Sequence, residues 1–315
     1  MSVAEHSVER AVTPSALRTS TRRRRRGGGA TWWRHVVAII AIAFALFPIL
    51  YIVSSSLNAD QTLSASSLLP RKVTFDNYRD ILSGELVSPG NNVLPIPFLR
   101  WYANSMIVGL IAAFSTVLLG ALAAYAFSRF RFKGRRIGML TLLLIQMFPQ
   151  FLALVAIYLI LDATGSIFSF IGLNTLSGLL LVYLAGAMGV NAWLMKGFFD
   201  TIPSELDESA RVDGATPAQV FWGVVLPLAA PVLAVVALLA FIGTLNEFVI
   251  ASALLQTQDN FTLPVGMQFL VSQKYNEQWG PFTAGVVLAA IPVVILFAFL
   301  QRFIVHGLTG GAVKG

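Results

Sequence analysis

The fold of this chain is decided by one polar stretch, Asp200-Thr-Ile-Pro-Ser-Glu-Leu-Asp-Glu-Ser-Ala-Arg-Val-Asp-Gly-Ala-Thr-Pro-Ala-Gln-Val-Phe-Trp-Gly-Val-Val-Leu-Pro227. Ser204 and Asp207 have the spacing of a capping box, and the acidic residues here suit the positive N-terminal end of a helix. Gly214 is suited to end that helix, because glycine adopts the left-handed conformation without strain. The first half of the stretch therefore predicts a short helix with well-formed ends.

The second half of the stretch predicts another short helix. Thr216 is a good N-cap, Pro217 stands at the first helical position and Gln219 completes a second capping box. Pro227 is expected to kink or break this helix, because proline lacks the N–H that the helix needs. Two short helices at an angle would form a rigid projection, and we call its first part, residues 204–214, the knob.

The sequence on both sides of this stretch is unusually apolar. Apolar residues make up 56% of the 315 residues and charged residues only 12%, whereas soluble domains carry about 25% charged residues. Such an excess cannot be hidden in a soluble core of this size, so much of the surface must face lipid. The composition excludes a disordered, collagenous or disulfide-stapled chain, and the absence of Cys excludes thiol catalysis and Cys-ligated metals.

Membrane-spanning helices need about 20 mostly apolar residues. The first candidate is too long for a cleavable signal and no small-residue cleavage pattern follows it, so it should remain as an anchor. An all-α, polytopic membrane protein with six spans is predicted. The six stretches are Trp32–Val53, Ser105–Phe127, Ile137–Leu161, Leu176–Trp193, Leu228–Ala251 and Phe282–Val305.

The basic residues predict the orientation of these spans. Seventeen of the 22 Lys and Arg residues fall in 1–34, 129–136, 194–226 and 301–315, and the other five fall on the opposite side. By the positive-inside rule, both termini are cytoplasmic in a multi-pass cell (inner) membrane protein. The run Arg22–Arg26 just before the first span is interpreted as part of this topology signal rather than as a nucleic-acid patch.

The segments between the spans complete the predicted organisation. Residues 1–31 form a disordered basic cytoplasmic tail, and 32–315 form one transmembrane domain. Ser88–Asn92, Pro95 and Pro97 have turn chemistry. The domain has a cytoplasmic loop (196–227), two external loops (54–103 and 252–281) and a cytoplasmic C-terminal tail (306–315).

The sequence has no recognisable catalytic motif. Its three His residues lie in a tail or at membrane edges, and Gly27–Gly29 and Gly310–Gly311 lack the following Lys-Ser/Thr of a phosphate-binding loop. We therefore predict no catalytic residue, no bound metal and no cofactor in this chain, and no ATP hydrolysis by it.

Glu247 is an ionisable residue well inside a predicted span, near its external end. A charge at the centre of a membrane helix costs about 2.5–3.5 kcal/mol on insertion scales, so such residues usually face the protein interior or a water-filled path. Three interpretations stay open, namely neutralisation by a neighbouring helix, a role in the permeation path, and proton coupling in an ion-driven carrier.

The polar stretch resembles the signature loop of permease subunits of ATP-binding-cassette (ABC) importers. That signature is Glu-Ala-Ala, three residues, Gly, nine residues and Ile-x-Leu-Pro. This chain has Glu208-Ser209-Ala210, three residues, Gly214, nine residues and Val224-Val225-Leu226-Pro227. Ser209 and Val224 depart from the pattern, and both are conservative in size. The resemblance implies the fold of type I importer (MetI-like) permeases.

Further matches point to permeases for maltose and maltodextrin. They are Leu173-Asn174, Lys196–Phe199, Asp213–Pro217, Gln146–Pro149 and the C-terminal run 307–315. The resemblance covers approximately residues 36–315 and leaves out the N-terminal tail. Permeases for trehalose and other oligosaccharides share most of these features, so the sugar is less defined than the subfamily. An ion-coupled carrier or a scaffold subunit are the alternatives from other functional classes.

The resemblance also implies partners and contact residues. The expected partners are a second, MalF-like permease, a MalK-like ATPase homodimer that holds ATP and Mg, and an external sugar-binding protein, with no nucleic acid. The ATPase-coupling residues would be Glu208, Ser209, Ala210, Asp213, Gly214, Leu226 and Pro227. The binding-protein loop would use Gln268, Tyr275, Asn276 and Trp279, although Trp279 also fits a membrane-interface belt. The C-terminal ATPase contacts would be Gly310, Gly311, Lys314 and Gly315.

Overall fold

Long apolar stretches become helices here, since a backbone in lipid must satisfy its own hydrogen bonds. The computed structural model describes residues 32–59, 70, 72–87, 93–272 and 278–312. The chain divides into two compact units, residues 1–47 and 48–315. In the first unit the described residues are 32–47, the beginning of helix α1, and the predicted tail 1–31 lies outside the described residues.

The described residues of the second unit are mostly helical, with one small β-hairpin. Short 3-10 turns cover Gln150–Ala153, Ser169–Ile171 and Gln258–Asn260, and a π-helical turn covers Phe221–Val225. The helices and strands are α1 Trp32–Ser56, α2 Asp76–Ser83, β1 Glu85–Val87, β2 Val93–Pro95, α3 Phe98–Arg129, α4 Arg135–Met147, α5 Leu154–Ile167, α6 Leu176–Phe199, α7 Ser204–Val212, α8 Pro217–Val220, α9 Leu226–Leu228, α10 Ala230–Asn246, α11 Val249–Leu254, α12 Leu263–Val271 and α13 Trp279–Ala312.

Four helical stretches among the described residues are each long and apolar enough to cross a membrane. Two bent helix pairs, Leu176–Gly186 with Gly189–Phe199 and Pro217–Leu228 with Ala230–Asn246, raise the number to six if each pair crosses once. The predicted all-α, polytopic architecture is therefore confirmed. The four continuous stretches are Trp32–Ser56, Phe98–Arg129, Gln150–Ile167 and Trp279–Ile304.

Two predicted spans are wrong as continuous helices. The third breaks at Phe148 and Pro149, both extended, because proline disfavours the helical conformation in the residue before it. The fifth does not run to residue 251, because α10 ends at Asn246, Glu247 is extended and α11 is a separate helix. At its start the fifth span is bent by 78° two residues after Pro227, as the position of that proline predicts.

The predicted external loop between the first two spans contains regular structure. Strands β1 and β2 pair antiparallel, with Leu86 opposite Leu94, and flank the predicted turn 88–92, which lies outside the described residues. The buried Asn77 of α2 donates to the carbonyls of Ser56 and Asn58 at 3.0 and 2.9 Å. These bonds tie the end of α1 to α2.

Helix α3 lies at the centre of the second unit, packed against α6 and α10, while α10 also packs against α13. Two buried apolar clusters lie along these helices. One joins the start of α3 with α11 and α12 and includes Trp101, Leu254 and Leu270. The other joins the ends of α3 and α6 with residues 220–236 and includes Phe199 and Phe221. Each cluster supports one of the loop regions described next.

Candidate functional site

The knob ends as the sequence predicts. Gly214 has φ +87°, in the left-handed region, and its N–H donates to the carbonyl of Arg211 at 3.0 Å. The N–H of Ala215 donates to the carbonyl of Ala210 at 2.9 Å. This pair of bonds is the Schellman arrangement, which satisfies carbonyls that a helix end leaves free. The knob therefore holds its own C-terminal end without help from the rest of the protein.

The predicted capping box of Ser204 and Asp207 is wrong. Pro203 occupies the N-cap position of α7 without a side-chain cap, and Ser204 is already inside the helix. The Asp207 carboxylate instead faces Arg129 at the end of α3, with 2.8 Å between Asp207 Oδ2 and Arg129 Nε. A longer-range electrostatic partner has replaced the local hydrogen bond that the spacing suggested.

The Arg129–Asp207 pair anchors the knob to α3. The side chains are only 10% and 4% exposed, respectively. Both carboxylate oxygens and Arg129 Nε are buried and make no hydrogen bond, so the contact is an ion pair without hydrogen-bond alignment. Arg129 Nη2 also donates to the carbonyl of Ile202 at 2.9 Å, just before the knob. Arg129 thus binds the knob by an ion pair with Asp207, and it also binds the backbone that leads into the knob through the carbonyl of Ile202.

A polar link beside this pair joins α3 to α6. The Asp200 carboxylate accepts from Ser128 Oγ at 2.7 Å and pairs with Lys196. Burial alone would raise the pKa of Asp200, but the hydrogen bonds from Lys196 and Ser128 and the charges of Lys196 and Arg135 outweigh it and lower the pKa. Asp200 therefore stays ionised where α6 leads into the knob.

The second cap forms as predicted. Gln219 N–H donates to Thr216 Oγ1 at 3.3 Å, and Thr216 N–H donates to Gln219 Oε1 at 2.8 Å. The chain then passes through the π-helical turn Phe221–Val225 before α9 and the bend into α10. The π turn closes with the N–H of Leu226 donating to the carbonyl of Phe221. It lies directly before Pro227, which has no N–H to continue the ladder.

The outer face of the knob is exposed. Val212 and Leu206, two apolar side chains of α7, are 88% and 43% exposed. The predicted coupling residues surround this surface or lie behind it. Glu208, Ser209, Asp213, Gly214 and Pro227 are exposed, whereas Ala210 and Leu226 are half-buried against the cluster beneath.

Glu247 caps a helix in the structure. Its carboxylate accepts from the backbone N–H groups of Ile250 at 2.8 Å and Ala251 at 3.0 Å, in the first turn of α11. Tyr183 of α6 donates its hydroxyl to the same carboxylate at 2.6 Å. A carboxylate at a helix N-terminus is favoured by the unpaired N–H groups there. Glu247 thus joins α6 to the break between α10 and α11.

A cavity of about 240 Å³ lies beside this carboxylate. Its lining combines small residues with groups that can donate or accept hydrogen bonds, which is suited to a hydroxyl-rich solute. The polar lining residues are Thr116, Gln150, Tyr183, Thr244 and Glu247.

A second structured loop, residues 255–263, lies at the opposite end of α3 from the knob, and we call it the external platform after its predicted orientation. Asn104 donates to the carbonyls of Asp259 and Phe261 at 2.9 and 3.0 Å, and Trp101 Nε1 donates to the carbonyl of Gln258 at 2.7 Å. Side chains of α3 therefore satisfy much of the platform's backbone.

Asn174 binds the platform from the other side. It is a non-glycine residue with positive φ, 58°, which asparagine tolerates better than most residues. Its Oδ1 accepts from the N–H groups of Gln256 and Thr257 at 2.9 and 3.1 Å, and its carbonyl accepts from Asn260 at 2.7 Å. Asn174 thereby joins the turn between α5 and α6 to the platform.

The predicted binding-protein residues are only partly described. Gln268 is exposed on α12 and lines a cavity of about 520 Å³, and Trp279 begins α13 with its ring 5.7 Å from that of Phe282. Tyr275 and Asn276 lie outside the described residues. The structure therefore positions two of the four predicted residues, at the two ends of the segment 268–279.

The predicted C-terminal tail is helical in its described part. Helix α13 continues to Ala312 and includes Gly310 and Gly311, because no proline or helix-ending turn interrupts the run after Val305. The predicted tail from residue 306 is thus a continuation of the last helix as far as residue 312, and its contact with an ATPase stays a prediction. Lys314 and Gly315 lie outside the described residues.

Comparison with known proteins agrees with this geometry. The family described as "Binding-protein-dependent transport system inner membrane component" matches residues 116–310, which include the knob, Glu247 and the external platform. Among solved structures, a bacterial ABC transporter involved in the import of the acidic polysaccharide alginate matches with a TM-score of 0.70 and 25% identity, covering 86% of this chain and 95% of that one.

Two curated relatives are similar over most of their length. The maltose/maltodextrin transport system permease protein MalG of Photorhabdus laumondii is 42% identical over 283 residues, which is 89% of this chain and 95% of the relative. The galactooligosaccharides transport system permease protein GanQ of Bacillus subtilis is 39% identical over 269 residues, which is 85% and 90%. This chain belongs to the family of binding-protein-dependent transport system inner membrane components, as a multi-pass permease subunit of the ABC transporter type.

Proposed function

We propose that this chain is the permease subunit of an ATP-driven importer for maltose- and maltodextrin-type oligosaccharides. The names of its relatives support a sugar of this class, and the relative that carries galactooligosaccharides is nearly as similar. Trehalose or another oligosaccharide is the alternative substrate. The chain would pair with a second, MalF-like permease and dock on a MalK-like ATPase homodimer, which would hold ATP and Mg.

The observation that carries this proposal is the contrast between the two faces of the knob. One face is anchored through the buried Asp207, and the other presents Val212 at 88% exposure. Val212 would bury its apolar surface if a partner docked on this face, and burial of apolar area favours association. We infer that this outer face enters a cleft of the ATPase, as the coupling loop of the family does.

The anchored face supplies a route for force. Closure of the ATPase dimer would displace the knob, and the Arg129–Asp207 pair and the Ser128–Asp200–Lys196 link would pass that displacement to α3 and α6. The spans would then alternate between inward- and outward-open states, with binding energy supplying the bias.

The polar cavity beside Glu247 is the proposed sugar path through this chain. Hydroxyl-rich solutes need donors and acceptors along such a path, and Gln150, Thr116 and Tyr183 provide them. An ion-coupled carrier is disfavoured by geometry, because the Glu247 carboxylate is already engaged by two backbone N–H groups and Tyr183.

The external platform with Gln268, Tyr275, Asn276 and Trp279 is the proposed contact for the sugar-binding protein. The end of α13 with Gly310, Gly311, Lys314 and Gly315 is the proposed second ATPase contact.

Both contact assignments require that the two termini lie in the cytoplasm. Because the chain has no Cys, a single Cys at 212 should react with impermeant maleimide only from the inside, and one at 73 only from the outside.

The decisive test is Val212→Asp, measured by recovery of the ATPase with the permease and by uptake of labelled maltotriose into vesicles. We expect both to fall at least tenfold, because a charge would be placed in the docking cleft. Val73→Asp is the matched control, since Val73 is 64% exposed in the external loop, and it should leave ATPase recovery unchanged. Normal ATPase recovery with Val212→Asp would contradict the proposal, and competition with trehalose and galactooligosaccharides would identify the sugar.

A further inference from the structure

A groove of about 740 Å³ lies between α4 and α6, at the same end of these helices as the knob. Leu140, Leu143 and Trp193 contribute apolar lining, and Arg135, Arg136 and Lys196 contribute cations. Trp193 and Leu140 are 52% and 50% exposed. The groove therefore combines an uncovered apolar surface with positive charge.

The positive charge around this groove is poorly compensated. Residues 129–136 carry five Lys and Arg residues and no Asp or Glu. Asp207 pairs with Arg129, and Asp200 pairs with Lys196 and is close enough to Arg135 to be influenced by its charge, so these two acids offset only part of the positive charge. Within the described part of the chain, Arg131, Lys133 and Arg136 form no ion pair. An anionic group would therefore meet free cations here.

The positive-inside rule alone does not account for the groove. A topology signal needs cations near the end of a span but no apolar cavity beside them. An apolar groove with cations at the cytoplasmic side of transmembrane helices has the chemistry that holds an acidic lipid headgroup and its acyl chain. The acyl chain would cover the exposed surfaces of Leu140 and Trp193, which no described part of the chain covers.

We propose that the groove between α4 and α6 binds an anionic phospholipid of the cytoplasmic leaflet. Its phosphate lies at Arg136 within reach of Lys133, and an acyl chain lies along Leu140, Leu143 and Trp193. The assignment to the cytoplasmic leaflet rests on the orientation given under Proposed function. The binding of an anionic lipid in the groove does not depend on that orientation. The site adjoins the knob, because Lys196 of the groove pairs with Asp200, which Ser128 joins to α3.

The test uses the full-length chain with its partner subunits in phosphatidylcholine nanodiscs that contain dibrominated phosphatidylglycerol. Bromine on the acyl chain quenches tryptophan fluorescence at contact, and the difference between wild type and Trp193→Phe isolates the signal of Trp193. We expect half-maximal quenching at a lower mole fraction of brominated phosphatidylglycerol than of brominated phosphatidylcholine. Equal quenching by the two lipids would overturn the proposal.

The charge requirement is tested with Lys133→Gln and Arg136→Gln together, both exposed side chains whose loss should not affect folding. The preference for the anionic lipid should weaken about fivefold for each cation removed. The matched control is Lys72→Gln with Arg79→Gln, two exposed cations of the external loop. An unchanged preference in the groove variant, or an equal loss in the control, would overturn the proposal.

Two further measurements distinguish a bound lipid from other possible occupants of the groove. Saturating inorganic phosphate should leave the quenching of Trp193 unchanged, and displacement of the lipid by phosphate would mean a simple anion site. Quenching that appears only after removal of the ATPase would mean that an acidic protein segment fills the groove, which also overturns the proposal. Maltotriose uptake is measured on the same samples, so a failure of sugar transport with intact lipid preference would count against the proposed function alone.

Discussion

The knob and the external platform lie at opposite ends of α3, and the structure fixes them by different means. The platform is an irregular loop whose backbone is bound by side chains of four residues, Trp101, Asn104, Ser105 and Asn174. The knob satisfies its own backbone as a helix with a Schellman end, and it is joined to the rest of the protein by the buried Asp207 and by Ala210 against the cluster beneath. Just before the knob, the carbonyl of Ile202 is bound by Arg129.

This difference suits two kinds of task. Many distributed hydrogen bonds hold a loop in one shape, so the platform presents a fixed surface. A self-contained helix on few anchors can be displaced as a rigid body without unfolding, so the knob can transmit a movement. Breaking the anchors one at a time should therefore affect the two ends differently.

The largest effect is expected for Asp207→Asn, which leaves the buried Arg129 cation without a counter-charge. Removing one partner of a buried pair typically costs about 3–5 kcal/mol. Thermal unfolding of the detergent-solubilised protein should show this loss, and ATPase coupling should fall with it. Arg129→Met with Asp207→Leu should recover much of the stability without restoring coupling, and a double variant no more stable than the single one would contradict the ion-pair account.

Asn104→Ala should have the next largest effect on stability, and it should act on the external platform rather than on the knob. The carbonyls of Asp259 and Phe261 lose their donor, and an unsatisfied buried group costs about 1–3 kcal/mol. Hydrogen exchange should accelerate in residues 255–263 and stay unchanged in residues 204–214. Equal acceleration in both segments would mean that the two ends are not separately stabilised.

A smaller effect is expected for Gly214→Ala. An alanine at φ +87° is strained by about 1 kcal/mol, whereas the space around this Cβ is open. Gly197→Ala is the matched control, because Gly197 lies inside α6 with equally open space and should gain about 0.5–1 kcal/mol. Opposite signs in thermal unfolding would confirm that backbone conformation, and not volume, requires the glycine in the knob.

The smallest effects are expected for two partly exposed carboxyls, Asp80 in α2 and Asp200 beside the knob. Burial and the charge of Asp76 raise the pKa of Asp80 in α2 against the opposing charge of Arg79, whereas the pKa of Asp200 is lowered. Ionised Asp80 therefore costs stability above its folded pKa, and ionised Asp200 adds stability that is lost as the pH falls through its lowered pKa.

At pH 7 we thus expect Asp80→Asn to raise the Tm slightly and Asp200→Asn to lower it. The Asp80 difference should shrink as the pH is lowered toward 3.8, the ordinary pKa of aspartate, whereas the Asp200 difference should persist to about that pH and shrink only below it. The measurement is Tm against pH for the two variants and the wild type. Shifts of the same sign for both variants would contradict the assigned environments.

Local rules predicted much of the knob. The left-handed Gly214 and the Thr216–Gln219 box follow from residues within four positions of one another, where capping chemistry is specific. The same local rule assigns Asp207 wrongly, since its partner Arg129 is 78 positions away in the sequence and positive charge before a span indicates only topology. A capping motif and a buried ion pair use the same carboxylate, and only tertiary structure decides between them.

Hydropathy predicted the number of spans better than their shape. Apolar runs identify lipid-facing segments, but the breaks at Phe148–Pro149 and at Glu247 follow from a proline and from a carboxylate that caps a helix within an apolar run. The partners of Glu247 and Asn104 come from helices far away in sequence, so no local pattern could have identified Tyr183 or the platform carbonyls.

The π-helical turn Phe221–Val225 affects how α10 is rotated about its axis relative to the knob. A π turn holds one residue more than an α turn, and each residue of an α-helix turns the chain by about 100°. Deleting one residue here would restore α-helical bonding but turn α10 by that angle relative to the knob, carrying the Glu247 end of α10 away from Tyr183. The alignment between the knob and the polar cavity thus depends on the one extra residue that this turn holds.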